Sequence, residues 1–166
     1  MTAASPSIGP SIVASPGLPA MLCFDVYSLN LAFGRAYKPL LEPLGLTYPQ
    51  YLVLLTLWAE DRQSVGRIGA ALGLDSSTLT PLLKRLEAAG VLRRHRDDQD
   101  ERRVLVSLTE AGRVLQQRAE AVPATMAEAT GMTLAEMRQM HQALTRLRQA
   151  LRDGGMGGAG GGDPCA

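Results

Sequence analysis

The sequence predicts a mainly α-helical chain with a small two-stranded β-wing late in its length. Three observations predict it. Apolar residues recur at three- and four-residue spacing over most of residues 22–152. Two short amphipathic segments, split by Gly73 and Leu74, stand in helix-turn-helix order. Two strand-like runs with a polar tip follow them directly. At 166 residues the chain fits a single domain that can bury a core without disulfides or a structural metal.

Residues 1–20 carry four prolines and no Lys or Arg, so they are expected to form a disordered lead-in and lack the charged start of a secretion signal. From Leu22 the apolar positions Val26, Leu29, Phe33, Leu40 and Leu41 approximate helical spacing, and Pro39 and Pro43 mark where that helix ends or kinks. Thr47 with Gln50 forms a capping-box pattern, with Pro49 in the first turn, and opens a second, nearly all-apolar helix to about Glu60. In "SVGRIGAALGL" Val65, Ile68 and Leu72 face inward. In "DSSTLTPLLKRLEAAG" Asp75 caps a helix whose inner stripe is Leu79, Leu82, Leu83 and Leu86, and Gly90 stops it. Residues 91–95 and 104–108 then read as the strands of a wing. Thr109 starts a further helix, interrupted near Pro123. Thr133 with Glu136 opens the last one, whose stripe of Leu134, Met137, Met140 or His141, Leu144, Leu147 and Leu151 needs a partner surface. Residues 153–166 hold seven glycines in "GGMGGAGGG" and are expected to be a flexible tail.

The formal net charge of +1 demands neither nucleic acid, a membrane nor an acidic substrate, so electrostatics must act locally. No run approaches 18 uninterrupted apolar residues, which excludes a spanning helix on sequence. The two cysteines lie 142 positions apart, a spacing that suits neither a disulfide framework nor zinc. The expectation is a cytoplasmic protein without metal or cofactor.

In a helix-turn-helix the second helix enters the major groove with its N-terminal residues toward base edges and phosphates. Those residues here are Ser76, Ser77, Thr78 and Thr80, suited to phosphate positioning, with Lys84 and Arg85 one or two turns on and able to reach guanine edges. Residues 84–103 hold seven Lys or Arg against five acidic residues, while residues 1–60 hold two against three. Arg102 and Arg103 stand near the wing tip, where an arginine probes a narrow, negative minor groove. Asp97, Asp98, Asp100 and Glu101 either brace those arginines or weaken non-specific binding. Double-stranded DNA is the expected partner.

With that arrangement laid out, "LCFDVY", "AYKPLLEPLGLTYPQYLVLLTLW", "LGLDSSTLTPLLKRLEAAGVLRRHRD" and "DERRVLVSLT" resemble the MarR family of winged helix-turn-helix regulators. Within it they resemble the OhrR-type organic-hydroperoxide sensors, over about residues 22–109 with little sign of insertion. The resemblance implies a homodimeric repressor on a palindromic operator, with the winged helix-turn-helix at about 48–109 and dimerisation helices at about 21–43 and 110–152. It implies release when an N-terminal cysteine is oxidised by an organic hydroperoxide. Cys23 matches that redox-sensing cysteine, Tyr37 and Tyr48 match the tyrosines that hydrogen-bond it, and Arg102 matches the wing arginine. Residues 110–150 contain no resolving cysteine, which places the resemblance nearer the single-cysteine type; Cys165 in the tail either resolves the oxidised Cys23 or is a bystander, and a low-molecular-weight thiol is the other partner for it.

A thiol attacks peroxide as the thiolate, which needs donors, cations or a helix N-terminus to favour it. Cys23 lies close to the start of the first helix. Tyr27, four residues on, shares its face but reaches only a neighbouring turn, and so is the weaker hydrogen-bonding candidate. Tyr37 is fourteen residues away, about 21 Å along one straight helix. Its phenol cannot reach Cys23 of the same chain, whereas an antiparallel helix from a second subunit brings Tyr37 of that subunit back to it. All four tyrosines fall within residues 27–51. The alternative reading is a MarR-type repressor controlled by a non-covalently bound aromatic ligand near Tyr27 and Trp58, with Cys23 incidental. A thiol peroxidase is disfavoured, because no His or Arg accompanies Cys23: His95 and His141 fall in the wing and the last helix. The chain is therefore not expected to be an enzyme.

Overall fold

The computed structural model describes residues 21–97, 100 and 102–154. The N-terminal segment 1–20, Cys165 with the glycine-rich tail, and Asp98 and Glu101 lie outside the described residues. Contacts divide the chain into one compact unit through Val122 and a second from Pro123.

Helix α1 runs Leu22–Leu41 and passes through Pro39 before giving way to a 3-10 turn at Glu42–Leu44, so it ends between the two prolines. Gly45 then reverses the chain at φ +69. Helix α2, Tyr48–Ala59, starts on the capping box: the Thr47 N–H donates to Gln50 Oε1 at 2.8 Å. Strand β1 is only Gln63–Ser64. Helices α3 (Val65–Leu72) and α4 (Ser76–Ala88) form the helix-turn-helix. The turn is tight because Gly73 takes φ +67 and because a Cβ on Gly69 would stand 2.8 Å from the Leu74 carbonyl oxygen. Strands β2 (Leu92–Arg96) and β3 (Val104–Leu108) pair antiparallel, Arg94 opposite Val106. The predicted two-stranded wing is the β2–β3 pair, and β1 adds a third strand to its sheet, order β1-β3-β2. Two residues are too few to show a strand's alternation, and β1 is held by its pairing, Gln63 opposite Val106.

One core joins these elements. Tyr51, Val53, Leu54 and Leu57 of α2, Ile68 of α3, Leu79, Leu83 and Leu86 of α4, Leu92 and Val106 are all buried, each side chain contributing about 1.5–3 kcal/mol. Helix α5, Glu110–Arg118, is capped by Thr109, whose Oγ1 accepts the Gly112 N–H. Helix α6 (Val122–Ala129) opens on the last residue of the first unit, and within the second unit α7 (Leu134–Asp153) starts on the Thr133–Glu136 capping box. Its stripe is bare: Leu134, Met140, Leu144 and Leu151 are exposed. So are Leu22, Val26, Leu29 and Leu31 on α1. Two apolar helix faces of this length need cover from another surface. Among the described residues no helix is long and apolar enough to cross a membrane, and no cluster of His, Cys, Asp or Glu could hold a metal.

Asp61, just past α2, ties this helix to the wing. Its Oδ1 accepts the Leu108 and Arg62 N–H groups, each at 2.8 Å, and its Oδ2 accepts from Arg113 at 2.9 Å. Burial works against its charge, but the Leu108 and Arg62 N–H groups and Arg113 outweigh it and hold the carboxyl below its ordinary value. A depressed folded value means the stabilisation is present above the unfolded value and is lost as pH falls through the folded one. Urea titrations are expected to show Asp61→Asn less stable than the parent at pH 7, with the gap closing as pH falls below about 4. An equal gap at pH 7 and pH 2 would refute this.

Candidate functional site

Two places in the first unit gather chemistry. One is the face formed by α4 and the wing. Asp75 caps α4, its Oδ1 accepting the Thr78 N–H at 2.7 Å and the Ser77 hydroxyl at 2.8 Å, which lowers its pKa. The Thr80 hydroxyl donates to the Ser76 carbonyl at 2.6 Å. Ser77 and Thr80 thus spend their protons inside the helix and present lone pairs outward, so they suit accepting from base amino groups better than donating to phosphates. Ser76 makes no side-chain hydrogen bond among the described residues. Lys84 and Arg85 are exposed, and no ion pair engages either among the described residues. From Ser76 to Lys84 the helix offers about 12 Å of readable edge.

The wing tip is braced from within. The Asp97 N–H donates to the Arg103 carbonyl, the Arg103 N–H to the Asp100 carbonyl, and the Arg102 N–H to Asp100 Oδ1 at 3.1 Å. Arg103 also pairs with the Asp97 carboxylate at 3.9 Å. Asp97 and Asp100 therefore brace the arginines. Arg102 remains exposed, its guanidinium in no ion pair among the described residues. Lower on the wing Glu87 of α4 grips Arg94 of β2, accepting its backbone N–H at 2.9 Å and its guanidinium at 2.8 and 2.6 Å. That fork fixes the wing to the end of α4. Between them lies an open groove of about 420 Å³, which brings Ser64, Ser76 and Thr80 together with Arg94, Arg102 and Arg103. Arg94 and Ser64 were missed in the sequence, because nothing local marks which wing arginine turns toward α4.

The second place is aromatic. Tyr37 of α1 stacks on Tyr48 of α2 with ring centroids 4.5 Å apart, and touches Tyr51 at 5.9 Å and Phe33 at 6.4 Å. Tyr51 in turn meets Trp58 edge-on at 6.0 Å. The Tyr37, Tyr48 and Tyr51 hydroxyls make no hydrogen bond within the chain among the described residues. Burial raises the pKa of all three, with neighbouring phenols adding to the rise for Tyr37 and Tyr51. They stay protonated, and so remain donors, well above neutral pH. Beside them Gly34, Lys38, Leu46, Thr47, Tyr48 and Pro49 line an open, largely apolar pocket of about 500 Å³.

Cys23 is not part of this cluster within its own chain. It is exposed, the second residue of an unbroken α1, fourteen residues and about 21 Å from Tyr37. Tyr27 is 59% exposed, and no ring contact joins it to Trp58 among the described residues. Trp58 has its indole N–H committed to the Gly112 carbonyl at 3.0 Å.

A helix presenting hydroxyls and two unpaired cations beside a braced hairpin with an outward arginine defines a DNA-binding winged helix-turn-helix protein. Residues 35–118 match the family model described as transcriptional regulator SarA/Rot. The chain is 54% identical over 134 residues to the HTH-type transcriptional regulator TtmR of Methylorubrum extorquens, covering 81% of this chain and 69% of that one. It is 43% identical over 130 residues to the organic hydroperoxide resistance transcriptional regulator of Bacillus subtilis, covering 78% and 88%. Among solved structures, AbfR of Staphylococcus epidermidis is 36% identical over 82% of this chain; its reduced form bound to DNA, 93% covered, superposes with a TM-score of 0.71. An overoxidised form of AbfR bound to DNA and a disulfide form superpose at 0.66 and 0.53. The chain belongs to the MarR-type winged-helix transcriptional regulators, with OhrR-type regulators among its relatives, and these are not enzymes.

Proposed function

We propose that this regulator is a repressor that binds a palindromic operator as a homodimer and releases it when Cys23 is oxidised by an organic hydroperoxide. The observation that carries the reading is the stacked Tyr37–Tyr48 pair: two protonated phenols with no hydrogen-bond partner among the described residues, Tyr37 on the same helix whose far end holds Cys23. A second α1 running antiparallel supplies the thiol, so the site is made by two subunits. The dimerisation elements are α1 and the helices of residues 110–152; the apolar stripes of α1 and α7 are exposed in the single chain. The names of the Bacillus subtilis relative and of the AbfR redox forms support the same chemistry.

The Cys23 thiolate attacks the distal oxygen of the hydroperoxide. The O–O bond breaks, the leaving alkoxide takes a proton and departs as an alcohol, and sulfur is oxidised to the sulfenic acid. Condensation with a low-molecular-weight thiol, or with Cys165, forms a disulfide and releases water. Oxidised sulfur no longer accepts from the two phenols as a thiolate does, and the helices repack so that the two copies of α4 no longer match successive major grooves. On the DNA, Ser76 and Thr78 position α4 on phosphates, Ser77 and Thr80 accept from base amino groups, Lys84 and Arg85 reach base edges or phosphates, and Arg102 with Arg103 enters the minor groove.

The test is anisotropy of a labelled duplex selected from a random pool by the reduced protein. The parent is expected to release it on adding cumene hydroperoxide, and Cys23→Ser to stay bound over the same range. Release from Cys23→Ser would reject redox sensing and favour the non-covalent aromatic ligand. Arg102→Ala, which removes one arginine from each subunit, is expected to weaken binding about tenfold or more and to flatten the salt dependence by roughly two ions.

A further inference from the structure

Helix α2 carries the phenols at its start and a hold on the wing at its end. Tyr48 and Tyr51 stand in its first turn, and Trp58 and Asp61 at or just past its last, about 10 Å along the axis from Tyr51 to Trp58 and about 20 Å from Tyr48 to Asp61. Tyr51 is 2% exposed and its ring meets both Tyr37, which stacks on Tyr48, and Trp58. The Trp58 N–H donates to the Gly112 carbonyl. Gly112 sits hard against the Val91 carbonyl oxygen, which would lie 2.3 Å from a Cβ placed there. The Thr109 hydroxyl donates to the carbonyls of Gly90 and Val91 at 2.6 and 2.9 Å, and Val91 leads into wing strand β2.

We propose that Trp58 is the residue that passes the oxidation state of the tyrosine site to the wing, through its hydrogen bond to Gly112. This rests on the redox reading above. A close-packed aromatic run does not deform gradually: when the Tyr37–Tyr48 pair gives up its thiolate and shifts, Tyr51 loses or gains a neighbour on one side and must repack. Trp58 is two turns along the same helix, on the same face, and is the next ring Tyr51 meets. Its shift breaks the bond to Gly112, so that α5, packed through Gly112 against the Val91 carbonyl at the base of the wing, loses its tie to α2. Trp58 acts on DNA only through Gly112 and Val91, so it is a positioning residue and touches neither peroxide nor operator.

Because Trp58 is the only tryptophan in the chain, its emission reports the surroundings of this one residue, Tyr51 and the Gly112 carbonyl among them. In the full-length parent, its fluorescence is expected to change on adding cumene hydroperoxide with the time course of DNA release, and to stay constant in Cys23→Ser. Trp58→Phe keeps a ring against Tyr51 but removes the N–H. It is expected to bind DNA within about twofold of the parent when reduced and to form sulfenic acid at the parent's rate, read by dimedone labelling. The ratio of oxidised to reduced Kd should fall by about fivefold or more, a substantial share of the 5- to 150-fold typical of coupling between sites. Parent-like labelling with a parent-like ratio of affinities would overturn the proposal. So would constant Trp58 emission through complete release, an observation made on the parent alone. Release by peroxide from Cys23→Ser would instead show that the redox reading itself fails.

Discussion

Gly112→Ala is expected to lower the thermal unfolding midpoint by roughly 10–20 °C, the largest single-residue effect on stability in the first unit. A Cβ there would lie 2.3 Å from the Val91 carbonyl oxygen and 3.1 Å from Leu108 Cδ2. The first neighbour is backbone and cannot rotate away. Relief requires moving α5 off the start of β2, which stretches the Thr109 hydroxyl's bonds to the Gly90 and Val91 carbonyls and the Trp58 bond to the Gly112 carbonyl. Overpacking commonly costs about 1–3 kcal/mol where side chains can adjust; with a fixed carbonyl and three hydrogen bonds displaced, about 3–5 kcal/mol is expected. Gly66→Ala is the control. Its Cβ meets nothing within 4 Å and it lies inside α3, so alanine should stabilise by about 0.5–1 kcal/mol. Both variants must be melted at the parent's protein concentration, since dimerisation makes the midpoint concentration-dependent. A midpoint for Gly112→Ala within 2 °C or so of the parent would show that the wing base yields where the structure has it rigid.

The same residues show what was legible in the sequence. Leu79, Leu83 and Leu86 with Asp75 at the cap and Gly73 in the turn state their helix-turn-helix locally, because period and caps are properties of a few consecutive residues. Both capping boxes are visible for the same reason. Strand β1 is not, since Gln63 and Ser64 become a strand only by pairing with residues more than 40 positions on. Helical arithmetic is enough to separate Cys23 from Tyr37 of its own chain, and the unbroken α1 keeps them apart. The stacking of Tyr37 on Tyr48 depends on how α1 packs across α2, which no local pattern encodes. Side-chain bookkeeping on α4 was equally hidden: four hydroxyls read as donors, yet Ser77 and Thr80 turn their protons inward. Of the wing's acidic residues, the bracing role of Asp97 and Asp100 was one of two readings the sequence left open, and the backbone of the tip decides it.

Tyr37→Phe with Tyr48→Phe is expected to slow Cys23 oxidation by roughly 100-fold or more, because each of the two phenols removed is a donor to a charged acceptor, a bond worth about 1.5–3 kcal/mol. Both phenylalanines keep the rings, and therefore the 4.5 Å stack, so fold and reduced DNA affinity should stay near those of the parent. The decisive form of the experiment uses two differently tagged chains, one Cys23→Ser with both tyrosines intact, the other Tyr37→Phe/Tyr48→Phe with Cys23 intact. Each homodimer is defective. In the heterodimer purified through both tags, the surviving Cys23 faces the intact tyrosines only if they come from the opposite chain. Dimedone labelling of that single cysteine at the parent's rate is the expected result. Slow labelling, as in the Tyr37→Phe/Tyr48→Phe homodimer, would mean that cysteine and phenols act within one chain. That would require α1 to break between residues 23 and 37, where it is a continuous helix spanning about 21 Å.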